Sequence, residues 1–161
     1  MAHKTTTHWK GGMRFESDNP SGNSVLMDTT SAGVDQQQGL SPKAMMLSSL
    51  AGCSGIDIVD ILKKMKITDY DLKIVVEGEL TDVHPKYYHT VAVNYYFSGA
   101  NIDPKKCERA VQLSVDKYCG VMEMFRKFAS VNTYIHFQSN YCLLYTSPSP
   151  RDRGCSRMPS S

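Results

Sequence analysis

The sequence predicts an α+β fold, and three observations carry that prediction. Short strand candidates come in groups instead of alternating strictly with helices. One long helix opens sharply at Ser41-Pro42, and a second opens at Asp103-Pro104. The resulting order is βββ-α-ββ-α-α-β, with strands and helices segregated along the chain.

The first forty residues read as extended structure and turns. Residues 3–9, 13–17 and 24–28 are strand candidates, and Gly11-Gly12 and Asn19-Pro20-Ser21-Gly22 are the turn signals between them. Residues 33–39, with three glutamines, read as a loop. Ser41 then suits an N-cap, because its hydroxyl can accept from a free helix N–H, and Pro42 suits the first helical position.

The helix is expected to run to about Lys66. Its first half, 44–51, is small or apolar on every side, as for a helix buried in the middle of a fold. Its second half places Ile58, Ile61, Leu62 and Met65 on one face.

Residues 72–80 and 90–98 alternate as strands. Leu72, Ile74 and Val76 share one face of the first, and Val91, Val93 and Tyr95 one face of the second. Residues 81–89 make a hairpin connection. In the second helix Cys107, Ala110, Val111, Ser114 and Tyr118 form a narrow inner stripe. Cys119-Gly120 interrupts it, Val121, Met124, Phe125 and Phe128 mark a short third helix, and 131–137 is a closing strand. Residues 1–138 therefore form one domain. Residues 139–161, with Ser-Pro-Ser-Pro and no periodicity, read as a disordered tail and resemble translated adaptor sequence.

The 161 residues carry 41% hydrophobic and 21% charged side chains, enough for a core without disulfide staples, and a net charge of only +2. That near balance, with no block of Lys or Arg, gives no reason to propose nucleic acid. No apolar run approaches the roughly 20 residues of a bilayer span. Met1 to His8 lack the apolar stretch of a signal peptide. A cytoplasmic protein is expected, and in that compartment disulfides are usually transient.

Five cysteines stand at 53, 107, 119, 142 and 155, without a C-x-x-C pair or a zinc-type Cys/His spacing. Cys142 and Cys155 fall in or beside the tail, and Cys107 reads as a small core hydrophobe. Cys107 and Cys119 on one helix would lie roughly 18 Å apart, too far to bridge. Cys53 sits between Gly52 and Gly55, and helix-interior glycines cost roughly 1 kcal/mol each. Such a cost suggests close approach of another segment or a ligand; tight packing around an inert thiol is the alternative. Cys119 sits at a helix boundary, where N–H groups of the next helix could lower its pKa or where it is simply packed.

Other polar groups are weaker candidates. His84 and His89 flank a loop without a third metal ligand, and His136 reads as a satisfied sheet residue. Asp57 and Asp60 read as polar anchors of the central helix; a carboxylate beside Cys53 would raise its thiol pKa. Tyr87, Tyr88, Tyr95, Tyr96 and Phe97 read as sheet and dimer packing. Met45, Met46, Met122 and Met124 either line an apolar pocket or fill the core.

Two segments together resemble a known family. Ser41-Pro42-Lys43 followed by Leu50-Ala51-Gly52-Cys53-Ser54-Gly55-Ile56-Asp57-Ile58-Val59 is similar to the central helix of the OsmC/Ohr family. Glu108-Arg109-Ala110-Val111, then Ser114-Val115-Asp116-Lys117-Tyr118-Cys119, is similar to its second cysteine segment. The resemblance covers roughly residues 4–138. It implies an intertwined α+β homodimer with antiparallel sheets around a long central helix and an active site at the subunit interface.

It also implies a thiol peroxidase. Cys53 would attack an organic hydroperoxide, Cys119 would condense with it to a disulfide, and a dithiol reductant would reopen that bond without metal or flavin. Peroxidase members carry an arginine near the attacking cysteine; Arg14, the only arginine before Arg109, is the candidate here. They also carry a glutamate ten residues before that cysteine. Lys43 stands there instead, which marks a divergent branch and favours the alternative reading, a non-catalytic or redox-sensing dimer that binds an apolar ligand.

Overall fold

The computed structural model describes residues 2–30, 36–100 and 102–138. The expected tail, with Cys142 and Cys155, lies outside them, as does part of the 33–39 loop. The chain forms strands β1 (Thr6–Trp9), β2 (Phe15–Asp18) and β3 (Ser24–Met27), helix α1 (Pro42–Lys64), and strands β4 (Asp71–Leu80) and β5 (Tyr88–Ser98). Helix α2 (Pro104–Leu113), a π-helical turn (Ser114–Tyr118), helix α3 (Gly120–Arg126) and strand β6 (Ser130–Gln138) complete it.

Two three-stranded sheets result. The first is the antiparallel meander β1-β2-β3. In the second, β4 pairs antiparallel with β5, and β6 returns parallel to β5 after the crossover through α2 and α3. The second sheet is therefore mixed, where the resemblance implied antiparallel pairing throughout.

Helix α1 starts as its sequence dictates: Ser41 Oγ accepts from the Ala44 N–H at 3.3 Å, with proline next in line. It ends before Lys66 because that residue takes a left-handed conformation (φ 60°), and the Ile67 N–H turns back to the Leu62 carbonyl at 3.0 Å. By length and hydropathy α1 would suffice to cross a bilayer. Here it is the central helix of the domain, packed against β4, α2, α3 and the π turn.

The core lies between α1 and the second sheet. Leu50, Ile58 and Leu62 of α1 meet Val91, Val93, Tyr95 and Phe97 of β5, all fully buried, together with Cys107, Ala110, Met122 and Phe125. The period-2 face of β5 is the one its sequence predicts.

Burial of α1 is one-sided, contrary to the all-round burial expected of its first half, where Met46, Ser48 and Ser49 are exposed. Further along the helix Ile56 and Val59 are exposed too. Gly55 shows the expected close approach, since a Cβ there would stand 2.9 Å from Ile74 Cδ1. Gly52 has nothing within 4 Å.

Three further expectations are corrected. Tyr118 is half exposed and does not join the inner stripe of α2. The π turn is the reason: the Cys119 N–H bonds to the Ser114 carbonyl at 2.9 Å, five residues back instead of four, so the inward place passes to Cys119. Met124 is exposed while Met122 is buried, because α3 begins at Gly120 with Cys119 as its cap. Phe128 lies past the end of α3 and packs against Phe125 with the rings tilted, their centroids 5.0 Å apart.

Candidate active site

Cys53 lies in the fourth turn of α1, half-buried, on the edge of the face that carries Leu50 and Ser54. Asp57 follows four residues later and so stands directly above it on the same face. Cys119 comes from the far side of the chain, at the junction of the π turn and α3, and is 4% exposed. The two sulfurs and an Asp57 carboxylate oxygen all lie within 4.8 Å of one another. Among the described residues this is the one cluster of three such groups. All cysteines there are free thiols.

Buried polar contacts hold the cluster. The Ser114 hydroxyl, fully buried, lies 3.2 Å from the Ser54 carbonyl and 3.3 Å from Asp57 Oδ2, joining the π turn to α1. Cys119 Sγ accepts from the Met122 N–H at 3.3 Å, the N-cap bond of α3. Arg126 donates to the Val115 carbonyl at 2.9 Å and lies 3.5 Å from Asp116, bracing the π turn from outside.

Two influences on Cys119 that the sequence leaves open are both present. Burial wins: it pushes the thiol up to about 12, the adjoining Cys53 thiol and the Asp57 charge add to the rise, and the Met122 N–H opposes it. Cys119 is therefore a protonated thiol across the physiological range.

Tyr95 of β5 is a member of the site that sequence reasoning placed only in the sheet core. It is fully buried, and its hydroxyl has no hydrogen-bond partner. Desolvation pushes the phenol up to about 12; the nearby Ser54 hydroxyl and the Arg126 charge act against that rise, and negative charge on either Cys119 or Cys53 would add to it. The Ser54 hydroxyl is committed to the Ala51 carbonyl and lies outside hydrogen-bond geometry with the phenol of Tyr95. It is thus a donor held beside the cysteines. Its signal in the sequence was slight: a polar tip at an inward position of an otherwise apolar strand face.

The remaining candidates fall elsewhere. Arg14 precedes β2, donates to Gln38 Oε1 at 2.8 Å, and lines a cavity of about 260 Å³ with Gly12, Met13, Asp28 and Gln36; neither cysteine lines it. The single chain does not bring Arg14 into the cluster. His136 stacks on Tyr96 and pairs with Asn94 Oδ1 at 3.0 Å, as a satisfied sheet residue does. His89 pairs with its neighbour Thr90. Asp60 forms a surface pair with Lys64 at 2.6 Å. The first turn of α1, where Lys43 stands, carries no acidic residue.

Residues 35–133 match the family of OsmC-like proteins. The chain belongs to that family. It is 30% identical to Protein YhfA of Escherichia coli over 123 residues, which is 76% of this chain and 89% of YhfA. A hypothetical protein of Aquifex aeolicus superposes with a TM-score of 0.75 at 26% identity, covering 86% of this chain and 98% of that one. The organic hydroperoxide resistance protein OhrB of Bacillus subtilis superposes with a TM-score of 0.58 at 17% identity, covering 84% and 98%, a likeness of fold. The two cysteine segments thus lie within an OsmC-like domain.

The orphan hydroxyl gives a sign that can be tested. A buried polar group without a partner costs about 1–3 kcal/mol. Tyr95→Phe keeps the ring and removes that cost, so it is expected to stabilise the reduced protein by about 1 kcal/mol, read as a higher urea midpoint with unchanged slope. A loss of similar size would mean that the hydroxyl is bonded in solution.

Proposed function

We propose that this OsmC-like protein is a thiol peroxidase that reduces organic hydroperoxides through Cys53 and Cys119. The observation that carries the reading is the approach of the two sulfurs to within 4.8 Å, from segments more than sixty residues apart. That gap needs only a small shift to reach the roughly 2.05 Å of a disulfide.

Their environments divide the labour. Cys53 is the partly exposed thiol and the one a substrate reaches, whereas Cys119 is buried and held protonated. Cys53 sulfur attacks one peroxide oxygen and the O–O bond breaks. Cys53–SH and ROOH thereby become Cys53–SOH and ROH. Cys119 sulfur then displaces the hydroxyl, giving the disulfide and one water. A dithiol reductant restores both thiols and leaves as its own disulfide.

A depression of about 390 Å³ opens beside Asp57, where Ile61, Met65, Leu113 and Tyr118 form an apolar wall and Asp60 and Lys64 a charged rim. The apolar wall suits the organic group of an alkyl or aryl hydroperoxide. The name of the Bacillus subtilis OhrB supports the same substrate class.

The working unit in this reading is a homodimer. Gly52, Ile56, Val59 and Lys63 form one stripe of α1 that borders an open apolar depression with Leu72 and Ile74. Trp9, Met13, Phe15 and Val25 of the N-terminal sheet are also exposed. A second copy seated on these surfaces would cover both and offer its own Arg14 as the cation that the single chain does not place beside Cys53.

Reduced protein is expected to consume cumene hydroperoxide faster than hydrogen peroxide. Cys53→Ser should abolish consumption, and Cys119→Ser should leave a single sulfenic acid trappable by dimedone. Thiols that stay reduced under excess cumene hydroperoxide would sink the reading in favour of a non-catalytic, ligand-binding dimer.

The second step should also depend on pH. Burial, the largest cause, holds the Cys119 thiol above its ordinary range, so its thiolate fraction grows with pH throughout the working range. Disulfide formation in a single turnover should accelerate by up to about tenfold per unit between about pH 6 and 9. A plateau below pH 8 would show that Cys119 is not held protonated by burial.

Sedimentation should give twice the mass of one chain for the wild type and a shift toward monomer for Ile56→Asp. A monomeric wild type at micromolar concentration would remove the dimer from the proposal.

A further inference from the structure

The same cluster has the composition of a metal site, although no Cys/His spacing along the sequence announces one. We propose that Cys53, Asp57 and Cys119 of the reduced protein bind a thiophilic divalent cation of the zinc type. The proposal does not rest on the peroxidase reading.

Geometry is the first argument. Cys53 and Asp57 are four residues apart on α1, the helical spacing that aims two ligands at one ion. Cys119 approaches from the start of α3, so the three donors converge from two directions, all within 4.8 Å of one another. Ligands around a tetrahedral ion with metal–ligand lengths of roughly 2.0–2.3 Å stand closer to one another than that bound, so closure asks for small side-chain shifts.

Donor chemistry is the second. Two thiolates and one carboxylate suit zinc, whereas calcium and magnesium prefer oxygen alone. Three protein ligands leave a fourth position for water or another exchangeable group.

The third is that the donors are already oriented by their neighbours. The buried Ser114 hydroxyl lies against Asp57 Oδ2, and the Met122 N–H fixes the Cys119 sulfur. Such outer contacts hold ligands in place before the ion arrives. Asp57 borders a depression open to solvent and Cys53 is itself partly exposed, so two of the three donors can be met from outside.

The fourth is independent of the ligands themselves. Tyr95 is fully buried beside this cluster with an unpartnered hydroxyl. A water or hydroxide on the ion would supply the partner that the protein does not. Histidines do not enter the site; the three ligands come from side chains that the thiol reading already needs, plus Asp57.

Occupancy would make the two uses of the thiols exclusive. Both sulfurs would be bound as thiolates, and a disulfide between them would expel the ion.

The test uses cobalt(II), which reports thiolate ligation by a sulfur-to-metal charge-transfer band in the near ultraviolet. The full-length chain, carrying Cys142→Ser and Cys155→Ser so that tail thiols do not contribute, is reduced and titrated without oxygen. One equivalent should bind with such a band, and one equivalent of zinc should displace it. Cys53→Ser should weaken binding at least a hundredfold, and Asp57→Asn at least tenfold. Asp57→Asn preserves size and both thiols, so it separates ligation from mere thiol reactivity; circular dichroism checks that each variant is folded. Absence of the band in fully reduced, folded protein would overturn the proposal. So would affinity unchanged by Cys53→Ser or by Asp57→Asn. Because no peroxide enters the titration, its failure leaves the peroxidase reading untouched.

Discussion

The arrangement of this domain depends on one buried junction, where the Ser114 hydroxyl meets the Ser54 carbonyl and the Asp57 carboxylate. Everything chemical in the chain lies within a turn of it. Ser54 is adjacent to Cys53, Asp57 is one turn beyond, and Cys119 is bonded through its backbone to Ser114 itself. Both serine side chains are fully buried, so their polar atoms must find partners inside the protein. The Ser54 hydroxyl finds its partner within α1, at the Ala51 carbonyl 3.2 Å away, so the Ser114 hydroxyl alone reaches across and ties the π turn to α1. That one buried hydroxyl brings the two cysteine segments together.

The π turn is the second half of that device. Along α2 the stripe Cys107, Ala110, Val111, Ser114 keeps the ordinary helical period, and four residues further on it would have delivered Tyr118 to the interior. A large phenol at that point would occupy the space where the thiols converge. One extra residue in the turn sends Tyr118 to the surface, where Lys117 lies over its ring at 5.4 Å, and turns Cys119 inward. π-helical insertions are rare and concentrate at functional sites, since they re-aim side chains at the expense of regular bonding. Here the re-aimed side chain is the buried thiol.

This also marks the boundary of what the residues reveal by themselves. Caps, alternation and apolar stripes are local, and they located α1 by Ser41-Pro42, α2 by Asp103-Pro104 and the inward faces of β4 and β5. The grouping of strands and helices was enough for the fold class. A period read forward from Cys107 does not anticipate the inserted residue, so it points Tyr118 inward, and in α3 it falls on Met124 where the buried side chain is Met122. The cysteine pair was legible only through family resemblance. Asp57 was visible as a neighbour of Cys53, but its convergence with Cys119 needed the tertiary junction. Tyr95 showed as part of a strand face, and nothing local distinguishes a core tyrosine with a bonded hydroxyl from one without.

The two glycines of α1 show how far a single chain accounts for its own sequence. Both cost helix stability, by roughly 1 kcal/mol each against alanine. Gly55 is accounted for inside the chain, because β4 crosses so near that a methyl group would press on Ile74. Gly52 faces open space, yet it stands in the same stripe as the exposed Ile56 and Val59. Soluble proteins seldom leave a contiguous apolar surface of this kind uncovered. A glycine that nothing in its own chain requires, set in an apolar stripe on a central helix, is what a close helix approach from a second copy would require. The same copy would also account for an arginine that the fold leaves away from its cysteines. Within one chain neither feature serves the cysteine site, and in the proposed pair both would become parts of it.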